Sequence, residues 1–417
     1  MAREMKDSGI QWVGIIPADW ECRRLRFLCE IQTGNQDTQD SVPNGLFPFY
    51  VRSPIVERSN KYTFEGPAIL MAGDGAGAGR VFHYVDGKYG CHQRVYSLQK
   101  ITDINRRFLY YYLSNLFYRE IEIANSKSTV DSVRLPMLQN FQVVFPNDHK
   151  QKKIVEYLDS KCAEIDVALD KTRTSIEEYK NLKQAIITQA VTKGIRGDRP
   201  MKESGIEWIG NIPSDYSVYR LKHLVNGHLE YGANISGVEF SSKLPRYIRI
   251  TDITLDGKLK EFGKLSLEED TAAPYILRDG DILFARSGAT VGKSFIYKET
   301  YGRAAFAGYL IKATIREGFS ADYIYLYTNS SLYDSWKSGI FIQSTIQNIG
   351  ADRYADLPIV IPNSFDEQLE IVDYLNNISM EIDKIISRKE EIFAELESYK
   401  KSLIYEYVTG KKEAPQT

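Results

Sequence analysis

Two glycine loops hold the residue types best suited to chemistry. Ser287-Gly-Ala-Thr-Val-Gly292-Lys293-Ser294 comes within one residue of G-x-x-x-x-G-K-[ST], the loop whose backbone N–H groups and lysine surround nucleotide phosphates. Asp74-Gly75-Ala-Gly77-Ala-Gly79 imitates the glycine-rich loop of a dinucleotide or methyl-donor site. Both chemistries need a helix N-terminus directly after the loop, where free N–H groups and the helix dipole meet the phosphate. Here Phe295-Ile296-Tyr297 and Val81-Phe82-His83-Tyr84-Val85 follow instead, aromatic and β-branched runs that predict strands. The first loop also begins with Ser287 in place of glycine, and its duplicate ends Gly79-Arg80-Val81. Both loops therefore read as tight hairpins in which glycine supplies positive φ. The chain has no Asn/Asp-Pro-Pro-aromatic tetrad of the amino-methyltransferase kind, and its Ser, His and carboxylate residues form no nucleophilic arrangement. No catalytic residue and no metal ligand set is assigned.

Hairpins of this kind carry polar and basic side chains to the edge of a sheet. Arg52, Arg80, Gln93 and Arg94 in the first half, and Arg249, Arg286, Ser287, Thr290 and Lys293 in the second, are the candidates for contact with a nucleic acid. Arginine pairs bidentately with guanine and glutamine with adenine, while lysine and hydroxyl side chains suit phosphates. Any one of them is as readily a solvated surface residue. The inference belongs to the set.

Such loops must be held by something, and the chain supplies it twice. Met201-Lys-Glu-Ser-Gly-Ile-Glu-Trp-Ile-Gly-Asn-Ile-Pro213 restates Met5-Lys-Asp-Ser-Gly-Ile-Gln-Trp-Val-Gly-Ile-Ile-Pro17 almost residue for residue. Pro245-Arg-Tyr-Ile-Arg249 answers Pro48-Phe-Tyr-Val-Arg52, Ile282-Leu-Phe-Ala answers Ile69-Leu-Met-Ala, and Ser344-Thr345-Ile346 answers Ser128-Thr129-Val130. Most of the extra length of the second copy falls between Pro245 and Ile282. Each copy ends in a long helix, expected from Lys150 to Thr192 and from Asp366 to Thr409. Sevens run through Leu158, Ile165, Thr172, Tyr179 and Ile186, beside Leu169, Ile176 and Ala190; in the second helix they run through Leu375, Ile382, Lys389, Leu396 and Leu403, beside Ile386, Phe393 and Tyr407. Seams in one phase predict helices that pack as an antiparallel coiled coil, each about 65 Å long at ~1.5 Å per residue. Asn147 caps the first helix, Ser364 with Glu367 forms a capping box on the second, and Gly194 and Gly410 end them.

The fold class read from this is α+β: two duplicated strand-rich domains separated by two long helices. The organisation is 1–147 first strand-rich domain, 148–194 first spacer helix, 195–214 linker and restart, 215–363 second strand-rich domain, and 364–417 second spacer helix and tail. The 417 residues, 43% of them hydrophobic, suffice for two packed cores. A net charge of −2 and a pI near 6.3 do not advertise nucleic-acid binding, so any such role needs basic side chains sorted onto one face. Cys22, Cys29, Cys91 and Cys162 show neither C-x-x-C spacing nor clustered histidines, which fits a reducing cytoplasm. No apolar run approaches the ~20 residues of a membrane span.

The arrangement resembles the specificity subunit of type I restriction-modification enzymes across essentially the whole chain. The resemblance rests on Asp279-Gly-Asp-Ile-Leu-Phe-Ala-Arg-Ser-Gly288, on the helix starts Gln151-Lys-Lys-Ile-Val and Gln368-Leu-Glu-Ile-Val, and on Ala190-Val-Thr-Lys-Gly194 with Tyr407-Val-Thr-Gly-Lys411. The first copy departs from it at Gly66-Pro-Ala-Ile-Leu and at Lys150, where the second copy has Glu367. The resemblance implies a non-catalytic DNA reader, with the two strand-rich domains as target-recognition domains. Each would read one half of a bipartite site in double-stranded DNA while the helices set the gap. It further implies two modification subunits that bind S-adenosylmethionine and methylate adenine, and ATP- and Mg-dependent restriction subunits. Two other readings stay open on the residues alone: a coiled-coil scaffold that binds only proteins, and a nucleotide-dependent enzyme.

Overall fold

A computed structural model describes residues 3–124, 132–254, 257–288, 290–342 and 348–415. The repeated Ser128-Thr129-Val130 and Ser344-Thr345-Ile346 lie outside them. The chain forms two compact units, residues 1–173 with 391–417, and residues 174–390. Each therefore contains one strand-rich domain, the start of one long helix and the end of the other.

The centre of the first unit is the strand Ala68–Ala72, buried along its whole length. Its side chains alternate between two cores: Ile69 and Met71 join the main core with the helix Arg106–Ala124, while Ala68 and Leu70 join a smaller one with Tyr89 and Cys91. A strand covered on both faces has no solvent side, which is why this stretch reads as an unbroken apolar run. It lies in an antiparallel sheet in the spatial order Glu30–Thr33, Val95–Gln99, Ala68–Ala72, Phe82–Val85. A second small sheet contains a parallel pair, Phe47–Tyr50 with Lys88–Cys91. Phe108, Leu109, Tyr112, Leu113 and Leu116 of the helix are fully buried on the first sheet.

The second unit repeats this plan. Ile282–Ala285 again splits its side chains, Ile282 and Phe284 to one core, Leu283 and Ala285 to another. The sheet order Glu230–Tyr231, Leu310–Ala313, Ile282–Ala285, Ser294–Ile296 matches the first, and Arg246–Ile248 pairs in parallel with Ala304–Phe306. Between Arg246–Ile248 and Ile282–Ala285 the second unit carries the short strand Leu265–Ser266 and the short helix Glu269–Ala272.

The long helices span Asp148–Lys193 and Phe365–Val408, one to two residues longer at their starts than the sequence predicts. In the first unit Lys400 bonds Asp166 at 2.6 Å and the Arg173 guanidinium lies 5.3 Å from the Phe393 ring; in the second, Lys183 bonds Asp383 at 2.7 Å and the Lys389 ammonium lies 5.5 Å from the Tyr179 ring. Rising numbers on one helix meet falling numbers on the other, so the pairing is antiparallel. Leu158, Ile165, Leu169, Ile176, Leu375, Ile382 and Leu403 are buried, and Ile386 and Phe393 half-buried. Toward the end of the first helix Ile187, Ala190 and Val191 are buried in one core with residues of the second domain and with Ile371, Val372 and Leu375 of the second helix, and Ile186 packs half-buried against it.

The helix starts explain the repeated Gln-x-x-Ile-Val. Gln151 is buried; its amide donates to the Pro146 carbonyl at 2.8 Å and its oxygen accepts the Asn105 N–H at 2.7 Å. Asn105 in turn caps the helix Arg106–Ala124, accepting from the N–H groups of Arg107 and Phe108. Gln368 makes the same clamp, donating to Pro362 at 3.1 Å and accepting from Ser320, which caps Ala321–Tyr327. One side chain thus satisfies the exit of a strand and the start of another helix, groups that burial would otherwise leave unpaired. At the caps themselves, Asn147 accepts the Lys150 N–H at 3.0 Å and Ser364 accepts that of Glu367 at 3.3 Å. The expected capping box is corrected in one respect: the Glu367 carboxylate turns to Arg199 and to Tyr216, at 2.6 and 2.8 Å, because a charged guanidinium is the stronger partner. Burial opposes charge on Glu367, yet those two donors outweigh it and hold its carboxyl below the usual range.

The restart segments fold as small hairpins, Met5–Asp7 with Ile15–Pro17 and Met201–Glu203 with Asn211–Pro213. The first is fastened to the end of the second long helix: Tyr405 donates to the Trp12 carbonyl at 3.2 Å and Lys411 to that of Val13 at 2.8 Å. Gly194 and Gly410 both adopt the left-handed conformation, with φ of 74° and 71°.

Candidate nucleic-acid interface

Three stretches of backbone meet at one edge of the first unit. The Gly73 N–H donates to the Arg94 carbonyl at 2.8 Å, and the Val133 N–H donates to Gly73 at 2.8 Å. The hairpin that starts here, residues 73–80, lies so close to the chain just after Phe47–Tyr50 that a side chain at Gly77 would strike the Arg52 carbonyl. Its glycines answer to that approach and to turn geometry; no helix follows, and Phe82–Val85 returns antiparallel to Ala68–Ala72.

Asp74 organises the edge. Its carboxylate accepts from Arg52 at 3.1 Å and pairs with Arg94 at 3.7 Å, so two of the predicted arginines stand side by side with 45% and 64% of their side chains exposed. Gln93 donates to Asp37 at 3.2 Å. Beneath them His92 is buried; its Nδ1 accepts the Arg94 N–H at 2.9 Å, which leaves Nε2 to carry the proton toward Asp37 at 3.4 Å. A backbone hydrogen bond from Thr38, aided by His92, keeps the Asp37 carboxyl below its ordinary range. Arg80 stands on the helix side of the hairpin, its guanidinium 3.8 Å from the Tyr118 ring and donating to the Tyr118 hydroxyl.

The second unit builds the same edge with different side chains. The Arg286 N–H donates to the Tyr309 carbonyl at 2.9 Å and the Ile349 N–H to Arg286 at 2.9 Å, as Gly73, Arg94 and Val133 do. Arg286 donates to Asn348 at 3.3 Å and lies 5.2 Å from the Tyr231 ring, and Ser287 pairs with Asn348. Tyr309 and Tyr231 are 59% and 45% exposed there, and residue-by-residue reading missed both. Tyr309 follows the parallel-paired strand at the place Arg94 holds in Cys91-His-Gln-Arg-Val95, a correspondence that the pairing of the strands reveals.

The remaining candidates separate. Arg249 braces the scaffold: both edges of its guanidinium engage Asp252, at 2.9 and 2.7 Å, and it also donates to the Gly263 carbonyl. Thr290 is half-buried in the hairpin turn, its carbonyl accepting the Lys293 N–H. Lys293 lines a cleft toward the long helices instead of the edge. The P-loop resemblance ends here as well, because Ser294–Ile296 is a strand paired to Ile282–Ala285. Among the described residues no group of three or more His, Cys, Asp or Glu could hold a metal, and no helix is long and apolar enough to cross a membrane.

Residues 17–178 and 242–394 match the family model for the type I restriction modification DNA specificity domain. The chain is 21% identical over 414 residues to the type I restriction enzyme EcoDI specificity subunit of Escherichia coli, covering 95% of this chain and 89% of that one. It is 24% identical over 420 residues to the MjaVIII specificity subunit of Methanocaldococcus jannaschii, covering 95% and 93%. A chain from a solved structure on complex assembly and conformational transition of the type I R-M system shares the fold, with a TM-score of 0.66 at 15% identity, over 95% of this chain and 99% of that chain. Two matches to one domain model, one in each copy and together spanning most of the sequence, make the chain a member of the type I restriction-modification DNA specificity family.

Proposed function

We propose that this chain is the DNA-specificity subunit of a type I restriction-modification complex. Each strand-rich domain reads one half of a bipartite duplex site, and the antiparallel helices set the gap. The observation that carries the reading is the pair of equivalent edges, alike in backbone and different in side chains. Arg52, Gln93 and Arg94 are the base-edge and phosphate contacts of the first domain; Arg286 and Ser287, joined by Tyr309 and Tyr231, are those of the second. Arg80, Thr290 and Lys293 flank them, and Arg249 acts through the scaffold. The domain limits follow the repeat: reading domains at 1–147 and 215–363, helices at 148–194 and 364–417, and a linker at 195–214.

In this reading the chain does no chemistry itself. Two modification subunits bring S-adenosylmethionine and methylate adenine, restriction subunits bring ATP and Mg, and the complex works in the cytoplasm. Strands after both glycine loops weigh against a nucleotide-dependent enzyme.

Single-molecule methylome sequencing of cells that express the chain with its modification subunit tests this. The expected motif has two short halves, each with a methylated adenine, around an unspecified gap; no methylated motif sinks the reading. Adding one heptad to each long helix, after Thr174 and before Glu391, keeps the seam in phase and avoids the buried Ile187 to Val191 stretch. Seven residues add about 10 Å at ~1.5 Å each, so the gap should grow by about three base pairs with both halves unchanged.

A further inference from the structure

One residue at the first domain's edge carries the same sign of charge as DNA. Asp74, with 22% of its side chain exposed, holds the N-cap position of the turn Gly75–Gly77 yet makes no capping bond; its carboxylate turns to Arg52 and Arg94 instead. The fold does not require that carboxylate. Asp74 bridges Ser132 through its backbone as Ser287 bridges Asn348 in the second unit, so the equivalent corner forms there around an uncharged residue. Ion pairs this exposed also add little to folding stability. What Asp74 supplies is orientation.

Arg52 donates from Nη1 to one carboxylate oxygen at 3.1 Å, and Arg94 sets its Nε 3.7 Å from the other. Each guanidinium thereby keeps a pair of nitrogens with no protein partner among the described residues, Nε and Nη2 on Arg52 and the two terminal nitrogens on Arg94. Two N–H groups on one planar edge are what the O6 and N7 of guanine accept. The stems are fixed as well: the Arg94 backbone is tied to His92 and to Gly73, and the Arg52 carbonyl abuts Gly77. A side chain locked by such a supporting contact holds the geometry that base reading needs. An arginine meant for phosphate would gain nothing from this neighbour, because the carboxylate offsets one of the two positive charges and repels the phosphate. We infer that Asp74 is a positioning residue that aims Arg52 and Arg94 at two guanines in the half-site of the first domain. The inference rests on the DNA-reading function proposed above. Both arginines share one carboxylate, so the guanines, on either strand, lie within about three base pairs of each other at ~3.4 Å per step. In the second unit Arg286 rests on the neutral Asn348.

The test uses the complex assembled with its modification subunits, and duplexes that carry its methylated motif. The half-site that changes when residues 21–145 are exchanged for a relative's domain should contain the two guanines. Asp74→Asn should lower discrimination about tenfold at both of them and leave the other half unchanged, while Arg52→Ala and Arg94→Ala should each relax one. Because Asp74→Asn removes a negative charge, affinity for a random duplex should hold or rise, which a loosened fold would not produce. Placing 7-deazaguanine at either position removes the N7 acceptor and needs no variant; it should weaken binding of the unmodified complex and leave the matching arginine variant unaffected. A first half-site without guanine, in a complex that still methylates a two-part motif, overturns the inference and leaves the reading function standing. So does a folded Asp74→Asn variant with unchanged discrimination, or indifference of the unmodified complex to 7-deazaguanine. If the complex methylates and protects no defined duplex, this inference and the reading it rests on fall together.

Discussion

The two units share a backbone plan and differ where that plan leaves side chains free. Gly73, Arg94 and Val133 are tied by the same two hydrogen bonds as Arg286, Tyr309 and Ile349, yet one edge presents arginines around Asp74 and the other presents aromatics around Arg286. Backbone bonds do not depend on what the side chain is, so residues at an exposed turn can diverge at little cost to folding. A buried corner behaves otherwise. Glu367, Tyr216 and Arg199 form one network in the second unit; in the first, Lys150 bonds Asp19 at 2.6 Å, Trp20 replaces the tyrosine and Arg3 turns to Glu413. The partners differ together, because a buried charge left without its counterion costs several kcal/mol.

The largest expected effect separates the units outright. Replacing residues 21–145 with the corresponding domain of a relative should exchange one entire half of the methylated motif and leave the other intact; a change in both halves would show that the edges are not read independently.

Removing charge from the two corners should give unequal results. Arg199→Ala strands a carboxylate that is 3% exposed, leaving it the hydrogen bond from Tyr216 and the more distant charge of Arg196, and should destabilise the second unit by about 3 kcal/mol. Arg3→Ala loses an ion pair to a largely exposed Glu413 and should cost less than about 1 kcal/mol. Unit-resolved hydrogen exchange in rising urea separates the two, and equal losses would show that the two corners do not differ in this way.

At the edges, Arg94→Ala and Tyr309→Ala should each weaken binding of the cognate duplex by about 1–3 kcal/mol and relax one half of the site only. Competition binding with duplexes altered in one half at a time reads this out, and a loss spread over both halves would move these residues off the reading surface.

The smallest effect is in acid. The Glu367 carboxyl lies below its unfolded value of about 4.3, so its contribution is fully present above that pH and fades as pH falls through the folded value. Between pH 5 and 3 the second unit should lose stability more steeply than a Glu367→Gln variant does, as followed by thermal melting. Asp19, held down by its hydrogen bond with Lys150 but half-exposed, should contribute less to the first unit's acid response.

The long helices, their seam and both copies of the strand-rich domain were legible in sequence, because period, caps and repetition are local or self-referential signals. Leu158, Ile382 and Leu403 recur at seven and are buried; Ala68–Ala72 and Ile282–Ala285 read as apolar runs because both faces of each strand are covered. The edge was only half legible. Arg52, Gln93, Arg94, Arg286 and Ser287 stand there, but sequence has no means to show that Arg249 is consumed by Asp252, that Lys293 faces the helices, or that Tyr309 takes the place of Arg94. Residue type and spacing determine which segments become strand or helix and which faces must be hidden. Which exposed side chains stand together, and which cations already have a partner, depends on how distant segments meet, so those were decided only by the tertiary structure.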